Sequence, residues 1–191
     1  MMTGWSIYLL LFGLFILSAL IYRLYIRIEY QRKGKLRFFA SIIQAALFFI
    51  WGGFPTLYLP KNWPVSSINP VLLLLGRIGL IVGLLSLIGG MIQLGLGKSL
   101  GMEQKRLRDT GLYSISRNPQ ILGCAIYIFS FVLLWPSWYA LVWGILLMGV
   151  LHIMVTTEEE HLRIVFGKSY QDYCQKVPRY LNRHLLFFRR N

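Results

Sequence analysis

Four apolar tracts long enough to cross a bilayer decide what this chain can fold into. They run from Trp5 to Tyr22, Phe38 to Leu59, Val71 to Leu96 and Ile121 to Val155. In hydrocarbon every backbone N–H and C=O must find its partner within the protein, so tracts of this length form helices. The fourth is too long for one helix, since about 20 residues cross the bilayer core. It contains Trp135-Pro136-Ser137-Trp138, a proline turn between two indoles of the kind that gather at membrane–water interfaces. The tract is therefore expected to fold as a tight hairpin of two spans. The sequence predicts an all-α integral membrane protein of about five transmembrane helices, followed by a cytosolic amphipathic helix near the C-terminus.

Composition narrows the function classes. With 56% hydrophobic and 14% charged residues, the chain is neither disordered, nor a coiled coil, nor an ordinary soluble enzyme. A net charge of +13 in a soluble chain would point to nucleic acid. Here the basic residues lie between spans, so the expected partners are membrane lipids of the anionic cytoplasmic leaflet and not nucleic acid. Six basic residues fall in Arg23 to Arg37, five in Lys98 to Arg117 and seven in Arg163 to Arg190, leaving only Lys61 and Arg77 elsewhere. That asymmetry predicts a multi-pass protein with its N-terminus outside and its C-terminus in the cytosol. Met1 to Ser6 carries no basic residue, so a cleaved signal peptide is not expected. Cys124 and Cys174 offer no disulfide framework, and His152, His161 and His184 are not spaced as metal ligands. The spans themselves hold few polar groups, mainly Gln44, Arg77, Gln93 and His152, and no repeated half, which argues against a transporter. Arg77 either snorkels to the outer interface or has a buried role.

The polar chemistry gathers in Gly97 to Gly123 and Val155 to Tyr180. In the first segment Gly111 suits a turn of positive φ, Asn118 is placed as a helix N-cap and Pro119 as the first helical residue. A helix start beside Arg117 can seat a carboxylate, and an ordinary loop whose arginine meets lipid phosphate is the alternative. In the second segment Glu158, Glu159 and Glu160 run against the basic trend. Thr156 with Glu159, or Thr157 with Glu160, would make a capping box at a helix start. Otherwise these carboxylates bind an ammonium or another cation. Leu162, Phe166, Tyr170, Tyr173 and Val177 then mark the apolar face of the predicted amphipathic helix, which ends at Pro178. Leu185 to Phe188, bracketed by arginines, reads as an interfacial anchor. His152 is either satisfied within the bundle or faces a pocket near the inner surface.

Together these segments resemble the integral-membrane methyltransferases of the isoprenylcysteine carboxyl methyltransferase and phospholipid methyltransferase group. The residues that carry the resemblance are Gly111 with Tyr113, Arg117-Asn118-Pro119 with Gly123, Glu158-Glu159 with Leu162, Phe166-Gly167, Tyr170 with Tyr173, and Val177 with Arg179. Their order around a membrane hairpin, over roughly Gly97 to Leu181, is more specific than any one of them.

The resemblance implies S-adenosyl-L-methionine as methyl donor, held at the cytosolic face, with a lipophilic or membrane-partitioned small molecule as acceptor. Leu107, Gly111, Tyr113, Asn118, Pro119, Gln120, Ile121 and Gly123 would line the cofactor, and Glu158 would receive its amino group. Arg117, Glu159 and His152 would stand nearest the chemistry. It also implies one membrane-embedded methyltransferase domain over residues 1–191. Three spans would fill 1–96, a cofactor-binding catalytic core 97–181 and an interfacial tail 182–191. Two positions depart from the pattern: Ile121 replaces a tyrosine, and Met154 replaces an arginine that in many carboxyl methyltransferases of the group meets the substrate carboxylate. Carboxyl O-methylation, as of an isoprenylcysteine, heads the expectations. N-methylation of an amino phospholipid, S-methylation of a small thiol and a non-enzymatic scaffold stand as alternatives.

Overall fold

The structure is a computed structural model, and it describes residues 4–57, 69–95, 97, 100–102, 107 and 109–181. Among these residues every regular element is helical. Helix α1 (Gly4–Leu20) passes through a π-helical stretch (Ile21–Ile26) into α2 (Arg27–Lys33), and the three form one rod. Then come α3 (Phe38–Gly53), α4 (Pro70–Leu94), α5 (Pro119–Leu134), α6 (Trp138–Phe166) and a short α7 (Lys168–Lys176). Four rods meet the length and hydropathy of a membrane span, and the apolar α5 is a shorter fifth at 16 residues. The hairpin turns where expected: Trp135 and Pro136 separate α5 from α6, and the Ser137 hydroxyl caps α6 by accepting from Ala140 N at 3.1 Å. The expected tail at 182–191, Leu59 and four of the five basic residues from Lys98 to Arg117 lie outside the described residues.

Two expectations give way. The first span does not end at Tyr22, because the rod continues to Lys33. Arg23 and Arg27, which look like the start of a loop, are instead turned onto Glu160 of α6. Nor does a new helix start at Thr156. Helix α6 runs unbroken through all three glutamates, and the hydroxyls of Thr156 and Thr157 bond back to the Ile153 carbonyl at 3.0 and 2.8 Å, so no capping box forms. The break comes at Gly167, whose φ of +50° ends α6 and starts α7. The predicted amphipathic stripe survives this break. Tyr170, Tyr173 and Val177 pack with Leu162, Phe166, Leu107 and Cys174 in one small cluster.

Helices α4 and α5 pack more extensively than any other pair. Glycine makes this possible: a Cβ on Gly123 would stand 2.5 Å from Leu87 N, and one on Gly83 2.6 Å from Tyr127 N. Lipid gives no hydrophobic incentive for helices to meet, so close backbone approach supplies the attraction. On the other side α1, α3 and α6 share a buried hydrogen-bond chain. Trp143 Nε1 donates to the Trp51 carbonyl, Trp51 Nε1 donates to Ser18 Oγ, both at 3.0 Å, and Ser18 donates to the Leu14 carbonyl. These contacts fix where α6 delivers its polar end.

Candidate functional site

The loop before α5 is built around Gln93 at the end of α4. Its Oε1 accepts from Leu112 N at 3.1 Å, and its Nε2 donates to the Thr110 carbonyl at 3.3 Å. Gly111 sits between these bonds with φ +65°, as its place in the motif suggests, and any Cβ there would collide with the Gln93 amide. Tyr113 is buried, its hydroxyl meeting Gln120 Oε1 and the Gly90 carbonyl. The Tyr113 carbonyl accepts from the Tyr173 hydroxyl at 2.6 Å. Burial pushes that hydroxyl above its ordinary pKa, so it stays a donor.

The next residues clamp the chain that follows α7. Arg117 N donates to the Pro178 carbonyl at 2.9 Å, and Ser116 Oγ and Asn118 Nδ2 both donate to the Arg179 carbonyl. Asn118 occupies the N-cap position of α5, but its side chain makes no cap bond because it is committed to Arg179. Ser116 Oγ instead accepts from Asn118 N. Pro119 is the first helical residue, as expected. Beyond it Ile121 and Gly123 turn into the bundle, Ile121 as core and Gly123 against α4.

The three glutamates of α6 point in three directions, about 100° apart around the helix. Glu160 takes Arg23 at 2.6 Å and Arg27 at 2.8 Å. Glu159, only 2% exposed, is a hub. Arg179 reaches its Oε2 with Nε at 3.1 Å and Nη2 at 2.8 Å, Arg117 Nη1 lies 3.2 Å from Oε1, and Arg163 adds a longer contact at 3.7 Å. The bond to Glu159 raises the Arg179 guanidinium above its ordinary pKa. Arg117 also donates to Cys174 Sγ at 2.6 Å, while its buried Nε is left without a partner. Glu158 is different. It is partly buried, and among the described residues no cation or hydrogen-bond donor pairs with it.

His152 lies one and a half turns before Glu158 on α6, exposed, with Nδ1 at 3.0 Å from the Tyr180 hydroxyl. Leu107 belongs to the cluster over α7. Within the spans an apolar cavity of about 240 Å³ opens between α3, α4, α5 and α6, with Phe48, Leu84, Cys124, Tyr127 and Leu151 among its walls.

Residues 70–169 match the family model described as phospholipid methyltransferase. The chain belongs to that family. The matched stretch runs from the first residue of α4 into the second residue of α7, and so contains Arg117 and all three glutamates. No curated protein and no solved structure matches the chain. As a member of the phospholipid methyltransferase family with four helices of spanning length, it is an integral-membrane methyltransferase.

Several participants in this geometry left little trace in the sequence of this methyltransferase. Arg23 and Arg27 reach Glu160 across more than 130 residues, and Cys174 meets Arg117 across 57. Three consecutive carboxylates with only Arg163 in pairing range on their own helix are the one signal in the sequence that distant cations meet them.

Proposed function

We propose that this chain transfers a methyl group from S-adenosylmethionine to the polar end of a lipophilic acceptor, at the cytosolic membrane face. The observation that carries the proposal is the isolation of Glu158. Leaving a partly buried carboxylate unpaired is costly, and its neighbours on α6 are both supplied with arginines. A carboxylate kept without a cation of its own suits a ligand that brings one. The methionine end of the donor carries an ammonium for Glu158 and a carboxylate for the spare N–H of Arg117 Nε, so the groups present fit it. The donor supplies a methyl already activated by a sulfonium, so the chain's part is to orient and to exclude water. Gln93 and Gly111 shape the loop, Tyr113 and Gln120 brace it against α4, and the 116–118 clamp closes the segment after α7 over Arg117 and Glu159.

The apolar cavity of α3 to α6 suits the hydrocarbon part of an acceptor, since Leu151 in its wall is two turns from Glu158 on α6. A carboxylate acceptor, of the isoprenylcysteine type, needs no base. An amine must arrive deprotonated, and the partly buried Met154 at a position where an arginine would hold a carboxylate favours this second reading. Calorimetry of S-adenosylmethionine against the detergent-purified protein tests the donor: micromolar binding is expected, lost in Glu158→Ala. Absence of binding to a folded sample refutes it. Transfer of labelled methyl to a prenylcysteine or to an aminophospholipid then separates the two acceptors.

A further inference from the structure

The first helical rod lies outside the matched segment 70–169, yet it packs along α6, the helix that carries Glu158. Leu151, Val155, Glu158 and His161 recur at three- and four-residue steps on one side of α6. Opposite them Tyr22, Ile26 and Tyr30 are all buried, at 2%, 1% and 3% exposure, in the same cluster as Leu151 and Val155. The register is fixed at one end by stacking of the Tyr30 ring on His161, with centroids 4.4 Å apart and planes at 17°. It is fixed beside that by Arg23 and Arg27 on Glu160. Glu158, about 4.5 Å along the axis from His161, is thereby placed between the levels of Tyr22 and Tyr30. Both tyrosine hydroxyls lie within electrostatic reach of its carboxylate, and Tyr30 within reach of Tyr22. Among the described residues neither hydroxyl takes part in a hydrogen bond. The strap formed by Leu36 N on the Gly101 carbonyl, at 2.8 Å, brings Gly101 against the Tyr30 hydroxyl.

We propose that Glu158, Tyr22 and Tyr30 form a three-oxygen site for a primary ammonium group, filled by the amino-acid end of the methyl donor. An ammonium has three N–H donors, and this seam offers one carboxylate and two unpaired hydroxyls within one apolar wall. The proposal rests on the reading that Glu158 receives that ammonium, and it adds that the unmatched first rod supplies the other two oxygens. His161 and the Arg23–Glu160–Arg27 clasp are positioning groups, which hold the tyrosines at that level.

The test is calorimetry on the full chain in detergent with two ligands: S-adenosylmethionine, and 5′-methylthioadenosine, which lacks the amino-acid end. Tyr22→Phe and Tyr30→Phe should each weaken S-adenosylmethionine roughly tenfold, the order expected for a hydrogen bond to a charged group. Both should leave 5′-methylthioadenosine unchanged, and Tyr25→Phe on the same rod should alter neither. Equal weakening of both ligands would mean that the tyrosines act only on folding, and overturns the proposal. So does full affinity in the double Phe variant while Glu158→Gln has lost it, which leaves the function itself standing. Failure of the wild type to bind S-adenosylmethionine removes the functional reading and this site with it.

Discussion

Along the α4–α5 seam two backbones touch through Gly83 and Gly123, with no charge involved. At the polar end of α6 the opposite device operates, where Glu159 and Glu160 are tied to five arginines drawn from four separate parts of the chain. The first seam is specified by the absence of side chains and is set within hydrocarbon. The second is specified by long side chains and lies where the bundle meets the headgroups. Lipid explains the difference: close backbone contact works in an apolar medium, whereas guanidinium–carboxylate pairs need a boundary where neither partner is stranded when the pair opens. The rigid seam holds α5 against α4, and the ionic one shapes the polar end that α6 presents.

Removing the hub should have the largest effect. Glu159→Ala leaves Arg117 buried without its carboxylate and frees Arg179, and a loss of about 3–5 kcal/mol is expected. Thermal unfolding in detergent measures it, and a loss below about 1 kcal/mol would mean that the ion pairs are ornamental. Gly123→Leu comes next, at about 1–3 kcal/mol, because its side chain must push α4 away from α5. If Leu is accepted there without loss, the two helices are not in backbone contact. The smallest effect belongs to Arg23→Ala. Its side chain is 42% exposed, so under about 1 kcal/mol is expected. That difference should shrink between low and high salt, since an exposed pair is screened.

Much of this was legible in the residues. Spanning length and Trp135-Pro136 gave the helix count and the hairpin, because burial of backbone in lipid leaves few choices. The left-handed turn at Gly111 and the helical start at Pro119 followed from local backbone chemistry. What could not be read was anything carried by distant pairing. Three adjacent carboxylates look like a helix start when their cations are invisible, and they sit mid-helix once Arg23, Arg27, Arg117 and Arg179 arrive from elsewhere. Asn118 shows the same limit: its side chain suits a cap, and a carbonyl 61 residues away takes it instead. The first rod, apolar and without a motif, gave no sign that it would stand against Glu158.

The π-helical stretch Ile21–Ile26 sets a counting rule on that rod. A four-residue step overshoots a full turn in an α-helix and falls short of one in a π-helix, so mixing the two keeps Ser18, Tyr22, Ile26 and Tyr30 on one line. Such a widened turn holds one residue more than its neighbours. Loss of a single codon there would leave a fully apolar, fully helical span that still crosses the membrane. It would also swing Arg27 and Tyr30 about 100° away from α6. Evolution can therefore exchange almost any apolar residue in this rod for another, but it cannot change their number upstream of Arg27 without compensating elsewhere in the same helix.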